Sequence, residues 1–562
     1  MRIAALASAL NVASLVAAAL AARAWHALLL PWSLLRQALA RPAERLLIAP
    51  QDIRTSDPTI AEDIYAGYFA FAGRIVNAHG RSPFDLDPPT EAWLRGLCGF
   101  AWLRHLRAAD TALARANGRA LVDDFIGHEA ARSAMALEPR VAARRLISML
   151  SQSPVILEDA DRAFYRRFMR HLSQSKARLQ RQLDGGLEGD ARLPAAMAVA
   201  FHALCASVPA RAERHATRQL ERELGRQILA DGGHVSRNPR PVVDLLLDLL
   251  PLRQAYAARD MAPPQPLMNA IDRMMPMLRM FRHGDGGLAL FNGMGVTAPD
   301  TLAIALAYDD AHARPTSNAR YSGYQRLEAG GAVLLLDAGV PPVPRFSAEA
   351  HAGCLAFELS DRDQRIVVNC GAPDAARVEM REAARTTAAH STLTLDDASS
   401  CQFAGRAGWQ AALAGRILQG PVRVPVERRE EDGHSAVDAS HDGYALRFGY
   451  VHHRSLALSA DGGALLGSDA LAPARGRGPD RPVAFALRFH LHPNVSARLD
   501  DGHVLLSLAN GERWRFAAEG FEPRIEESIY FAAANGPRQT RQIALLGEAE
   551  GEVGICWSLT RA

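Results

Sequence analysis

The feature that most constrains this chain is a change of hydrophobic period near residue 313. Before it, from about residue 51 to 310, apolar residues recur at three- and four-residue spacing, as in Trp93, Leu94, Leu97 and then Trp102, Leu103, Leu106. That is the period of amphipathic helices. Tracts at 141–150 and 211–229 are rich in Arg, Leu and Ala, which favour helix. Proline-bearing junctions at 82–89, 238–241 and 262–266 punctuate the block, and no alternating strand stands out within it. After residue 313 short β-rich runs dominate, at 332–336, 365–369, 391–395, 422–426, 445–451, 483–491, 503–508 and 553–559. Between them stand Asp-Gly and Asn-Gly pairs, among them Asp461-Gly462, Asp501-Gly502 and Asn510-Gly511, the dipeptides of tight hairpins. A helical block followed by a β block, with no βαβ alternation, predicts an α+β multidomain chain: an α-helical domain, then an antiparallel β-sandwich. The expected boundaries are an N-terminal leader or amphipathic segment at 1–50, helices at 51–312 and the sandwich at 313–562.

Composition excludes several classes. With 48% hydrophobic and 22% charged residues, the chain is neither mostly disordered nor a polytopic membrane protein. Lys and Arg total 64 against 61 Asp and Glu, a net charge of +3, too balanced for a nucleic-acid coat, so no nucleic-acid partner is expected. Lys176 is the one lysine. Arginine forks suit carboxylate or sulfate, but GC-rich coding explains the Arg and Ala excess without any ligand. Six cysteines, none in a C-x-x-C pair, exclude zinc ribbons and a disulfide scaffold.

Residues 3–22 carry no charge, and Ala22-Arg23-Ala24 has the small-x-small form of a cleavage site. This predicts export to the cell envelope or periplasm. The competing reading is an uncleaved amphipathic helix touching a membrane peripherally, with a cytoplasmic location as the alternative. The sequence does not fix an oligomeric state.

Four segments could carry chemistry. Residues 231–239, DGGHVSRNP, present His234, Ser236, Arg237 and Asn238 at a helix start, with Asn238 as N-cap and Pro239 at the first helical position. Such an end favours anions. Residues 349–359 place Glu349 and His351 on one face if they form a strand, where a carboxylate could orient the imidazole. Residues 385–392 offer Arg385 for an anion and His390 for an anion or a metal. Arg488, His490 and His492 alternate onto one face, better explained by a half-solvated strand than by a metal site.

These motifs resemble the heparinase II/III-like proteins: DGGHVSRNP at 231–239, SGYQRL at 322–327, HAGCLAFEL at 351–359 and RTTAAHSTL at 385–393, supported by RFHLHPNV at 488–495. The resemblance runs from about residue 51 onward. It implies an incomplete α-helical toroid followed by an antiparallel sandwich. It also implies a polysaccharide lyase that cleaves an acidic, uronic-acid-containing polysaccharide by β-elimination in the cleft between them. That chemistry needs cations or amides to neutralise the uronate carboxylate, a base for the C5 proton and an acid for the leaving oxygen. The resemblance implies His234, His351 and Tyr324 as reacting or orienting groups, with Arg237, Asn238, Glu349 and Arg385 holding substrate. Zinc-binding relatives suggest a structural zinc on His351, Asn369 and His390; no other cofactor is implied. The chain departs from the family where Glu349 and Gly353 replace the first His and the Asp of an HxHxD segment, and where Asn369 replaces a zinc-binding Asp. No tyrosine stands at 285–295, where the family's catalytic Tyr belongs, which leaves Tyr256 and Tyr324 as substitutes. The alternative is a non-catalytic carbohydrate-binding or envelope-polysaccharide assembly protein on the same fold.

Overall fold

The computed structural model describes residues 43–309, 313–374, 377–405, 415–431, 433–474 and 481–562, with isolated positions at 13, 14, 16, 17, 21 and 413. The leader and membrane expectations fall on residues nearly all outside that set. Among the described residues no helix is long and apolar enough to cross a membrane.

The helical half is built from capped helices. Thr90, Thr111 and Asp161 each accept a backbone N–H three residues on, at 3.1, 3.0 and 2.7 Å, which satisfies donors a helix start leaves orphaned. The helix Arg192–Cys205 is apolar nearly all round and sits at the centre. It packs against Pro139–Ser151, Arg162–Asp184, Ala210–Gln227 and Arg240–Ala257. One hairpin interrupts the block, Tyr68–Phe71 with Arg74–Asn77. Its two-residue turn has Ala72 at φ 49° and Gly73 at φ 70°. Both central residues lie in the left-handed region, which matches the strand twist. The helical period elsewhere had hidden these four-residue strands.

Besides a two-stranded sheet, Gln402–Phe403 with Ile417–Gln419, the β half holds two large antiparallel sheets. One runs Val426–Glu431, His434–His441, Tyr450–Leu458, Ala464–Pro473, Val553–Arg561, Arg513–Ala518, His503–Ser507, Ser496–Asp500. The other runs Arg524–Tyr530, Arg538–Ala549, Val483–Leu491, Gln364–Val368, Phe357–Asp361, Ala332–Asp337, Tyr324–Ala329, Asn318–Ala319, with Leu393–Leu395 also pairing Val483–Leu491. This second sheet is the middle of three layers. Val333 and Leu335 belong to the helical core, whereas Leu334 and Leu336 belong to the core between the sheets. A strand buried on both faces reads as the continuous apolar run Ala332–Leu336 rather than as an alternation.

Two expected strands shift. The run at 422–426 becomes a strand only from Val426. Residues Ala445–Phe448 form a helical turn closed by Gly449 at φ 76°, and the strand begins at Tyr450. The Asp501-Gly502 pair, with both φ positive, turns Ser496–Asp500 into His503–Ser507 as expected.

Candidate functional site

The 231–239 loop joins the helices Ala210–Gln227 and Arg240–Ala257. Gly232 sits at φ +88°, and a Cβ there would lie 2.0 Å from the Arg273 carbonyl oxygen, so the turn demands glycine. His234 is buried, and both ring nitrogens are engaged, Nδ1 with Ser236 Oγ at 2.7 Å and Nε2 with Gln227 Oε1 at 3.2 Å. Burial holds its pKa down to about 4. The ring borders a cavity of about 320 Å³ inside the helical half. There Arg54 and Arg144 both donate to Asp248, at 2.8 and 2.9 Å, and Arg140 pairs with Asp190. With Asp244, three arginines face three aspartates, so the wall holds no surplus of positive charge for a uronate. The helix begins one residue later than expected, with Pro239 at the N-cap, and Asn238 Oδ1 just before it accepts the Arg240 N–H at 2.9 Å.

Arg237 turns away from that cavity. Its backbone is left-handed, at φ 61°, and its side chain is buried. The guanidinium donates to the carbonyls of Ser322 at 2.7 Å and Gly339 at 3.0 Å and forms an ion pair with Asp337. Burial opposes the charge, yet Asp337 and Tyr324 beside it hold the guanidinium above its ordinary pKa. Gly339 permits this approach, since a Cβ there would lie 2.6 Å from the guanidinium. The arginine expected to hold substrate instead joins the helical half to the sandwich.

Tyr324 lies in the same seam, 1% exposed. Its hydroxyl donates to the Arg237 carbonyl and accepts from Asn292 Nδ2 at 2.7 Å. Burial, then the charge of Asp337, pushes its pKa far above the ordinary value for a phenol. A base must reach substrate and release its proton near neutral pH; the Tyr324 hydroxyl does neither. The other substitute, Tyr256, is also buried, with its hydroxyl 3.0 Å from Thr217 Oγ1.

The sandwich histidines do meet. His351 Nδ1 lies 3.0 Å from His390 Nε2, and His390 Nδ1 donates to the Thr386 carbonyl at 2.7 Å. That order makes His351 Nδ1 the donor to His390 and leaves His351 Nε2 as an acceptor. Burial first, then His390 and Arg385, hold His351 well below its ordinary pKa, and burial lowers His390 to about 4. The loop between them is pinned from below by buried Arg454, which donates to the carbonyls of Leu355 at 2.6 Å and Ser391 at 2.8 Å while pairing with Asp469.

The rest of the expected set is dispersed. Residues 349–351 precede the strand Phe357–Asp361, so the same-face argument for Glu349 does not apply; Glu349 is half-exposed and pairs with Arg381. Arg385 donates to the carbonyls of Ala350 at 2.8 Å and Ser347 at 3.0 Å and lies over the Phe403 ring, so it braces the loop. Asn369 gives Nδ2 to Glu358 at 3.1 Å and accepts the Ser391 N–H at 2.9 Å, which spends both ends of its amide. His490 is likewise occupied, by Ser528 Oγ at 2.7 Å and the Ala388 carbonyl at 3.0 Å. The expected zinc set does not fit: its two imidazoles bond each other and its amide is committed elsewhere. Among the described residues no three or more His, Cys, Asp or Glu are grouped to hold a metal. Gly353 stands at the family's Asp position, and a Cβ there would lie 2.7 Å from His390 Cδ2. The histidine ring fills the place of that carboxylate.

Two connecting residues escaped the sequence reading. Asn292 donates to Tyr324 and, at 2.9 Å, to Asp337, and accepts the His351 N–H at 3.3 Å. Its φ of 48° before Gly293 marks an Asn-Gly turn, a legible signal. Glu358 takes His283 at 2.9 Å and the N–H groups of Leu290 at 3.1 Å and Asn369 at 2.9 Å, all from outside its own strand. No local pattern announces it.

Helices closed against one face of a two-sheet sandwich, with a polar seam of His, Arg, Asn and Tyr between them, make up a lyase-like fold. The chain belongs to the heparinase II/III-like family. The family's C-terminal region, "Heparinase II/III-like, C-terminal", matches residues 311–558. A relative named FtsZ-localized protein C, from Caulobacter vibrioides strain NA1000 / CB15N, is 32% identical over 555 residues, covering 94% of this chain and 92% of that protein. In fold the chain is similar to heparinase III, with a TM-score of 0.68 at 12% identity over 88% of this chain and 80% of that one. A heparan sulfate lyase mutant from Pedobacter heparinus gives 0.62 at 16% identity over 98% and 90%.

Restoring the family aspartate by Gly353→Asp should displace His390 and lower stability by on the order of 1–3 kcal/mol, read in urea melts. An unchanged midpoint would show that the ring has room to move. The buried imidazoles also set an acid limit. His234 and His390 titrate near 4 when folded, against about 6.5 in a free chain. Their folded pKa values are depressed, so the stability they contribute is present above pH 6.5. It is lost as pH falls towards 4, at about 1.4 kcal/mol per pH unit for each group. Urea midpoints should fall steeply across that window; a flat profile would mean the rings protonate in place.

Proposed function

We propose that this chain is a non-catalytic member of its lyase-like family, one that holds an acidic polysaccharide without cutting it. The observation that carries this is the state of the polar groups. The Tyr324 hydroxyl and the Arg237 guanidinium are both spent on bonds inside the protein. A lyase needs a base that reaches the C5 proton and cations that reach the carboxylate. The assay is ultraviolet absorbance of unsaturated uronate ends, with heparan-type chains, hyaluronan, alginate and polyglucuronate offered in turn. No rise is expected on any polymer. A rise abolished by His351→Ala would overturn this reading and establish β-elimination. That second reading rests on one observation: His351 Nε2 is an acceptor without a hydrogen bond among the described residues, on an imidazole that burial keeps neutral.

The name of the Caulobacter relative supports a second element, that this chain also localises with FtsZ. A fluorescently tagged chain should co-localise with FtsZ and disperse when FtsZ is depleted. A pattern indifferent to FtsZ would sink this element. Sharing FtsZ's compartment would also decide between the envelope and cytoplasmic locations.

A further inference from the structure

A second concavity lies away from His234 and the two sandwich histidines, where the strand Tyr324–Ala329 and the edge strand Val426–Glu431 approach each other. It encloses about 340 Å³, a space on the scale of one or two sugar rings. We propose that this pocket is an acidic-saccharide site: Arg320 takes the anionic group, the Gln325 amide accepts a hydrogen bond from a sugar hydroxyl, and Tyr321 covers a ring face. The proposal rests on the reading of this chain as a polysaccharide binder and names where that binding occurs.

Charge is the first argument. No Asp or Glu lines the pocket, and three arginines do. Arg237 is neutralised from within by Asp337, and Arg428 by Glu430. Arg320 is exposed and has no ion pair or hydrogen bond among the described residues, so its charge is the one available to a ligand. A planar guanidinium suits carboxylate, sulfate or phosphate alike.

Gln325 is the second argument. The residue is 3% exposed, and its Nε2 donates to Asn318 Oδ1 at 2.9 Å. The residue lines the pocket, and its Oε1 is itself buried and has no hydrogen-bond partner among the described residues. A buried acceptor of this kind calls for a donor. An anion alone supplies none, whereas a sugar offers hydroxyls beside its acid group.

The third is Tyr321, 62% exposed and held in place from behind. Asp231 Oδ2 accepts the N–H groups of Tyr321 at 2.9 Å and Ser322 at 2.7 Å, and the Ser322 hydroxyl at 3.0 Å. Gly323 at φ +76° completes the turn, and a Cβ there would lie 2.4 Å from Gly339. The ring therefore stands in solvent on a fixed backbone, which lowers the ordering cost of binding. Val340 and Val426, 46% and 38% exposed, supply apolar wall for the C–H face of a ring. Asp231 thereby has a task that the histidine loop alone did not explain.

The test is calorimetric titration of the full chain with a glucuronate-containing disaccharide, its neutral glucose counterpart, and a short polyglutamate peptide. Binding of the acidic disaccharide is expected, weakened at least tenfold by Tyr321→Ala and by Arg320→Ala, with the neutral sugar at least tenfold weaker than the acidic one. Both side chains are exposed, so unchanged thermal midpoints will confirm folding. No binding to the wild-type chain, equal binding by the variants, or binding of the peptide alone would each overturn the site. Cleavage of a polymer with these binding differences intact would instead overturn the non-catalytic reading and leave the pocket standing.

Discussion

The buried pair of Arg237 and Asp337 is the contact on which the arrangement of the two halves depends. It takes an arginine from the loop before a helix and an aspartate from the end of a central strand, 100 residues apart. Taking both charges out of water is costly, and the cost is recovered only when every remaining donor is satisfied. Here the carbonyls of Ser322, Gly339, Val340 and Gly323 do that, Asn292 bonds the second carboxylate oxygen, and the Tyr324 ring lies under the guanidinium at 4.9 Å. A non-glycine residue at φ 61° adds strain that only a surrounding network sustains. Further along the same face, His283 with Glu358, Arg365 with Asp285, and Arg326 with the carbonyls of Met280 and Arg282 repeat the device. Together they fix the segment after the helix Gln265–Met280 against the middle sheet.

That seam follows from the layer order. The central strands of the middle sheet are buried on both faces: one face is apolar against the second sheet, and the other carries Val333 and Leu335 together with Arg326, Glu358 and Arg365 against the helical half. At the strand ends, loops from both halves meet and their backbone groups need partners. Long arginine side chains reach carbonyls that secondary structure leaves unpaired, and arginine is the cation this chain uses almost exclusively.

The two-part architecture was legible in the sequence because period and turn chemistry are local properties. Val483–Leu491 falls where its run of residues placed it, and Asp501-Gly502 turns where it should. Locality also explains the misses. The hairpin at Tyr68–Asn77 is shorter than the helical pattern around it, and Ala445–Phe448 is too short a turn to show a period. The motifs identified positions better than roles. His351 and His390 were expected near one another and are in contact. Yet nothing local says that the Arg237 guanidinium points to residue 337, or that the His390 ring occupies the space an aspartate at 353 would need. Those facts depend on residues tens of positions apart.

The same groups can either wait for a substrate or hold the protein together, and stability and activity then compete for them. A lyase keeps tyrosine, arginine and histidine under-satisfied until substrate arrives, so that their bonds form in the transition state. In this chain the bonds of Tyr324 and Arg237 are already made, and a glycine at 353 lets two imidazoles close on each other. Besides His351 Nε2, the unspent groups are an arginine, an amide oxygen and an exposed ring around the 320–325 turn. Asp231 connects the two regions, since the carboxylate that begins the histidine loop also holds the Tyr321 turn. The loop that carries His234 is thus also the scaffold of a neighbouring surface, because one carboxylate serves both turns.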